Sequence, residues 1–282
     1  MFELSAIELD DEANFRSISN SRRAKLDRHL LHLVEPSVLA SYTAYSKSAG
    51  YAKKMEPIEV DEETKKALVR NYNSLDTGGS HGDLRSRILG LARNSRCPYC
   101  RRVDVVTLDH YLPKNSWPEL SVFSRNLIPV CMECNWKKLN KVGIGLDRFI
   151  HPYFDSLPAA SVLFADVLDA KGRIAVAYRI DASEQVPEEL LRAWSFHFAE
   201  LGLADVYAAD AVEEVAVLAE TVRILSEGGA SSVGIDEHVE IQLRSLERVQ
   251  GLNHWKPVLY KSISTVLQSS RRDDFVEAIT SF

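Results

Sequence analysis

No run of apolar residues in this 282-residue sequence approaches the 18 or more that a membrane-spanning helix needs, which excludes an integral helical membrane protein. The opening stretch, Met1-Phe2-Glu3-Leu4 leading into the acidic Glu8-Leu9-Asp10-Asp11-Glu12, has neither the basic nor the apolar segment of a secretory signal, so a cytoplasmic protein is expected. Cysteine is scarce: four residues are too few for a disulfide-built scaffold and, where thiols stay reduced, better suited to metal ligation or catalysis than to disulfides. With 13 Gly and 10 Pro and no repeat or low-complexity tract, collagen-like and disordered classes are also excluded. What remains is an ordinary globular balance, 45% apolar and 26% charged. A chain of this length buries enough surface to fold without a metal, so any metal has a local purpose.

The net charge of −6 argues against a general polyanion binder. Its distribution says otherwise. Between Asp83 and Arg148 stand twelve Lys and Arg against six Asp and Glu, a local +6 that leaves −12 on the rest of the chain. Such asymmetry points to a basic working face on an acidic body.

Patterning predicts an α+β protein, mostly helical, in three parts. Residues 1–80 read as helical, with Asp61-Glu62-Glu63 opening a segment that puts Leu68, Tyr72 and Leu75 at helical spacing, before a linker-like Asp76-Thr77-Gly78-Gly79-Ser80. In 81–155, a helix with Leu84, Ile88 and Leu91 on one stripe leads into Cys97, a short strand is expected from Arg102 to Leu108, and Pro113 to Pro118 reads as a loop. In 156–282, Val162 to Asp181 looks like a β-hairpin turning at Lys171-Gly172. Helices are expected after it around Leu190 to Leu201, Val206 to Leu225, Val239 to Leu246 and Trp255 to Leu267, with Gly228-Gly229-Ala230-Ser231-Ser232 separating two of them. Nothing in this last part carries recognisable chemistry.

All four cysteines lie in two knuckles, Cys97-Pro98-Tyr99-Cys100 and Cys131-Met132-Glu133-Cys134, separated by thirty residues. Two tight turns that each offer two sulfurs are what a tetrahedral structural Zn²⁺ site requires. The competing redox reading of Cys-Pro-Tyr-Cys needs a strand before the motif and a helix after it, the reverse of the order expected here, and leaves the second knuckle unexplained. The long insert holds Leu108-Asp109-His110-Tyr111-Leu112-Pro113-Lys114 and then Asn126-Leu127-Ile128-Pro129-Val130, and the second knuckle continues as Cys134-Asn135-Trp136-Lys137-Lys138. Across 97–138 this resembles the zinc-bound HNH endonucleases of the ββα-metal fold, whose pattern runs Cys-x-x-Cys, Asp-His-x-x-Pro, Asn-Leu-x-x-x-Cys-x-x-Cys-His/Asn-x-x-Lys.

The resemblance implies a divalent-metal-dependent nuclease with Cys97, Cys100, Cys131 and Cys134 on a structural zinc and His110 as general base. A neutral imidazole titrates near enough to pH 7 to take a proton from water, and a cation must neutralise charge building on the phosphate. Asp109 and Asn135 are the expected ligands of that second ion. Asn135 replaces the name-giving final His, and an amide oxygen favours Mg²⁺ over softer metals, with Mn²⁺ as the substitute. Asn126 corresponds to the family's loop-bracing asparagine. The zinc itself, saturated by four sulfurs, has no open position for catalysis.

Lys114, Arg125, Lys137, Lys138 and Lys141 lie on or beside the motif and are expected to meet backbone phosphates, DNA before RNA. Downstream, Phe149-Ile150-His151-Pro152-Tyr153-Phe154-Asp155 resembles a segment of HNH proteins from bacterial anti-phage defence operons, which implies an ATPase or another defence subunit as a partner. An aromatic staple closing the module onto the C-terminal domain explains that segment equally well, and His151 as a further ligand is the lesser reading. The rival for the whole chain is a zinc-stabilised module that binds nucleic acid or a partner without catalysis. RNA cleavage by the same site is a third reading, because base and metal act on the phosphate.

Overall fold

Short acidic side chains set where the first helices begin. In the computed structural model, which describes residues 4, 9–156, 158, 160–169, 174–181, 186–229 and 232–280, Asp10 accepts a hydrogen bond from the Ala13 amide at 2.9 Å and opens α1 (Asp11–Ser21). The long α2 (Lys25–Ser48) follows, and α3 (Glu62–Asn71) is opened by Asp61, which accepts from the Thr64 amide at 2.8 Å. Phe15 and Ile18 of α1 and Leu31, Val34, Val38, Tyr42 and Tyr45 of α2 recur every three or four residues, and they are buried, as are Ala67 and Leu68 of α3. A forked pair fixes α3 on α2: Arg70 donates from Nε to Asp27 Oδ2 at 3.1 Å and from Nη2 to Oδ1 at 2.6 Å.

The chain forms two compact units, Met1–Leu157 and Pro158–Phe282. The break expected near residue 80 therefore lies inside the first unit. Gly79 and His81 donate to the carbonyls of Asp76 and Ser74, so the Gly-rich stretch is a hydrogen-bonded turn into α4 (Gly82–Leu89).

After the first knuckle, β1 (Thr107–His110) pairs antiparallel with β2 (Leu127–Val130), in a register running from Thr107 opposite Val130 to His110 opposite Leu127. The strand expected at 102–108 begins five residues late. Val103 and Val106 are exposed, and the partner strand ends at Val130, where the second knuckle starts, so nothing remains for 103–105 to pair with in that sheet. From Cys131, whose sulfur accepts from the Cys134 amide, the chain enters α5 (Met132–Lys138). A minimal hairpin, β3 (Gly143–Ile144) with β4 (Asp147–Arg148), follows.

The aromatic segment after β4 closes onto the N-terminal helices of its own unit. His151 is buried: its Nδ1 accepts from the Tyr153 amide at 3.2 Å, so the proton sits on Nε2, 2.9 Å from the Tyr45 hydroxyl. Its ring packs against Tyr111 at 4.1 Å and Phe154 at 4.6 Å. With both nitrogens engaged, His151 is a staple rather than a ligand.

Gly50, at φ +70°, makes this packing possible, because a Cβ there would fall 2.8 Å from His151 Cδ2 and 2.9 Å from Tyr45 Cζ. Gly50→Ala is expected to cost about 2–4 kcal/mol from left-handed strain plus overpacking. A denaturation midpoint unchanged by the substitution would refute this account.

In the second unit, β5 (Leu163–Asp169) pairs antiparallel with β6 (Ile174–Ile180); the predicted Lys171-Gly172 turn lies outside the described residues. Ile174, Val176 and Tyr178 alternate into the core. Helices α6 (Glu188–Glu200), α7 (Leu203–Glu227), α8 (Ser232–Gln250) and α9 (Trp255–Leu267) fall where periodicity placed them, and α10 (Arg272–Thr280) was not foreseen. Of the predicted separator, Ala230-Ser231 is outside the described residues. Asn253 ties the unit together by accepting from the Val162 and Leu163 amides and donating to the Ala160 carbonyl. No helix among the described residues is long and apolar enough to cross a membrane.

The protein is thus mostly helical with small antiparallel sheets, an α+β chain.

Candidate metal centre and imidazole site

The two knuckles meet. The sulfurs of Cys97, Cys100, Cys131 and Cys134 all lie within 4.8 Å of one another, with Cys100 and Cys131 3.9 Å apart, and all four residues are buried. Tetrahedral Zn–S bonds of about 2.3 Å put neighbouring sulfurs about 3.8 Å apart, the spacing that Cys100 and Cys131 show. Local backbone builds the cage: Arg101 takes φ +60°, its amide donating to the Cys97 carbonyl at 2.7 Å, while Cys131 and Cys134 share the first turn of α5. Four buried thiols this close can hold a metal such as zinc.

Beside the cluster, β1, β2 and α5 form a ββα unit, with α5 packed on β1. Successive strand residues point to opposite faces, and the motif divides accordingly. Thr107 and Asp109 face α5, where the Asn135 amide donates to Thr107 Oγ1 at 3.3 Å and Lys138 reaches Asp109. Leu108 and His110 face the other way, toward Tyr72, whose ring lies 4.5 Å from the imidazole and whose hydroxyl donates to the Leu108 carbonyl. The structure brings Asp109 and Asn135 to one face of β1 and puts the His110 imidazole on the other.

The half-buried His110 has its Nε2 2.9 Å from the carbonyl of Ser121. A carbonyl only accepts, so Nε2 carries the proton and Nδ1 keeps its lone pair, with no protein partner among the described residues. Burial disfavours the imidazolium, and the Lys114 ammonium adds to this, so the ring is pushed down to about 3. It is neutral at physiological pH.

The Ser121 carbonyl is itself held. Asn126, fully buried, accepts from the Leu112 amide at 2.8 Å and donates to the carbonyls of Leu112 at 3.0 Å and Leu120 at 3.2 Å, clamping both ends of the loop between β1 and Ser121. The Ser121 hydroxyl donates to the Leu68 carbonyl at 2.6 Å. An amide in this position fixes the imidazole through the loop without touching it.

Asp109 is 2% exposed and already engaged. Tyr99 donates to its Oδ2 at 2.9 Å, and Lys138 Nζ stands 3.1 Å from both oxygens. Burial raises the carboxyl and lowers the ammonium, each opposed by attraction to the other. As the residues stand, Asp109 does not fit a hydrated divalent ion.

The basic residues also separate. Lys138, expected on the nucleic-acid face, has no exposed surface and cannot meet a phosphate. Lys137 pairs with Glu133 at 2.9 Å, and Arg125 donates to Ser46 Oγ at 3.3 Å. Lys141 is exposed. Lys114 stays on the imidazole side, its ammonium 4.2 Å from the centre of the Tyr72 ring.

Tyr72, Tyr99 and Ser121 were not anticipated, because nothing in local spacing ties them to β1. The burial of Lys138 was readable: it follows Cys134 by four residues, and the helix face that buries the sulfur buries the ammonium as well.

No protein-family model matches the chain. The chain is similar to protein ea31 of Escherichia phage lambda, 23% identical over 188 residues that cover 62% of this chain and 63% of that protein. It is also similar to the Septu protein PtuB of Bacillus thuringiensis, 44% identical over 50 residues that cover 16% of this chain and 20% of that protein. The chain therefore spans less than two thirds of the length of either curated relative. No solved structure matches.

Proposed function

We propose that the Met1–Leu157 unit is an endonuclease that hydrolyses nucleic-acid phosphodiesters, DNA before RNA, with His110 as its general base. The observation that carries this reading is the bond between His110 Nε2 and the Ser121 carbonyl, which leaves a neutral imidazole with its Nδ1 lone pair unpartnered. A general base must be unprotonated before it acts and held in one tautomer, and both hold here; an anionic phosphate bound beside the ring and Lys114 raises the proton affinity that burial and the ammonium lower in the free protein. Water gives its proton to Nδ1 and its oxygen to phosphorus. The bond to the 3′ oxygen breaks and that oxygen takes up a proton, leaving 5′-phosphate and 3′-hydroxyl ends. Lys114, on the same side as the ring, supplies positive charge for the phosphate. A zinc held by Cys97, Cys100, Cys131 and Cys134 would keep α5 and β1 in place and, with four sulfurs around it, would take no part in the proton transfer.

Similarity to a phage protein and to a Septu protein, together with the aromatic segment after the motif, supports a role in bacterial defence against phage, alongside an ATPase or another subunit. The second reading, a binding module without catalysis, is favoured by one observation, the engagement of Asp109 by Lys138 and Tyr99.

A nicking assay on supercoiled plasmid, run with and without Mg²⁺ or Mn²⁺ and with RNA in parallel, separates the two. Cleavage that His110→Ala removes is the expected result. Binding without cleavage under every condition, including with the partner subunit present, would establish the module.

A further inference from the structure

We propose that the Lys138 ammonium is a tethered cation that occupies the Asp109 site and excludes a divalent metal from it. The inference rests on the assignment of this ββα unit as the working site, and its test reads metal occupancy rather than cleavage.

Lys138 Nζ donates to the His110 carbonyl at 2.8 Å and stands 3.1 Å from each oxygen of Asp109. Its other neighbours are aromatic: the ring centres of Phe149 and Tyr111 lie 5.6 and 5.9 Å away, within cation–π range. Three oxygens and two aromatic rings suit an ammonium, which has three donors and is attracted to ring faces. They do not suit Mg²⁺, which asks for six oxygens at about 2.1 Å and gives up its waters reluctantly. With Lys138 at 0% and Asp109 at 2% exposure, there is no surface through which such waters could be kept.

The tether also fixes the strand carrying the imidazole. The ammonium that neutralises Asp109 holds the backbone carbonyl of His110, so one cation joins the two motif residues that the pleat points apart. Lys138 is therefore a positioning residue, and Asp109 acts through it rather than through a metal.

The experiment is a titration of the zinc-loaded full chain with Mn²⁺, followed by the electron-spin-resonance signal of the free ion. Wild type and Asp109→Asn are expected to bind Mn²⁺ alike. Lys138→Met removes the charge while keeping the length of the side chain, and is expected to gain a site at least tenfold tighter, which is lost again in Lys138→Met/Asp109→Asn. Lys138→Gln provides the same comparison if the methionine variant loses its zinc or its helical signal. A wild-type Mn²⁺ site that Asp109→Asn abolishes would overturn the proposal, as would folded Lys138 variants that gain no site. If neither Lys138 variant folds, the comparison of wild type with Asp109→Asn decides alone: equal binding supports the tether and an Asp109-dependent site refutes it. None of these outcomes is read from plasmid nicking, so failure here and failure of the nuclease assignment remain separate results.

Discussion

Replacing His110 with alanine is expected to lower cleavage by about 10²- to 10⁴-fold, the range a positioned base contributes, while zinc content and helical signal stay at wild-type levels. The ring is half-buried at the edge of a four-residue strand, so its removal leaves a small gap beside Tyr72 and no orphaned donor in the core. The Ser121 carbonyl loses one partner. Activity that survives the substitution would remove His110 from the mechanism whatever the fold does. The pH profile adds an independent reading. Because burial and Lys114 push the ring of the free protein down to about 3, the base stays neutral through the usual histidine range, and kcat/KM should show no acidic limb near pH 6.5.

Stability carries the same signature. The unfolded chain protonates this histidine below about pH 6.5 and the folded chain only near 3, so between those values the unfolded state binds more protons. Folding stability therefore falls as pH falls through that window, by at most about 1.4 kcal/mol per pH unit from this group before solvent screening. His110→Ala should flatten that fall between pH 6.5 and 5. His151, also held neutral by burial, contributes in the same direction and remains in the variant.

Removing the metal is the second large effect. Stripping zinc with a strong thiolate-site chelator is expected to abolish hydrogen-exchange protection across 97–138 while α7 and α9 of the second unit keep theirs. Apparent binding energies of structural zinc sites reach about 10–16 kcal/mol, as large as the whole stability of a typical domain, so the knuckles, β1 and α5 should not hold without it. Cys131→Ser should reduce zinc from one ion per chain to a small fraction, and it also disturbs the start of α5, where this sulfur accepts from the Cys134 amide. Protein purified without zinc under reducing conditions, or unchanged protection of 97–138 after chelation, would disprove the structural role.

Much of this site could be read from residue order. Two Cys-x-x-Cys turns can converge on one ion wherever the intervening chain runs out and back, and an Asn fourteen residues after Leu112 can clamp a loop as soon as β1 and β2 pair. Periodicity likewise placed α6 through α9, because each needs one apolar face and the sequence supplies it at intervals of three and four. The extent of β1 was not local. Val103, Val105 and Val106 have the branched side chains of a strand, yet β-structure requires a partner, and β2 is only four residues long.

The sequence by itself determined the candidate ligand set: four sulfurs and their spacing follow from which residues stand where along the chain. Only the tertiary structure decided what each charged side chain faces. Asp109 and His110 are neighbours in sequence and opposed in space because a strand alternates its faces, and Lys138 became a buried counter-ion because α5 turns the same side toward the strand that carries Cys134. Spacing says which side chains share a face, and packing alone says what that face meets.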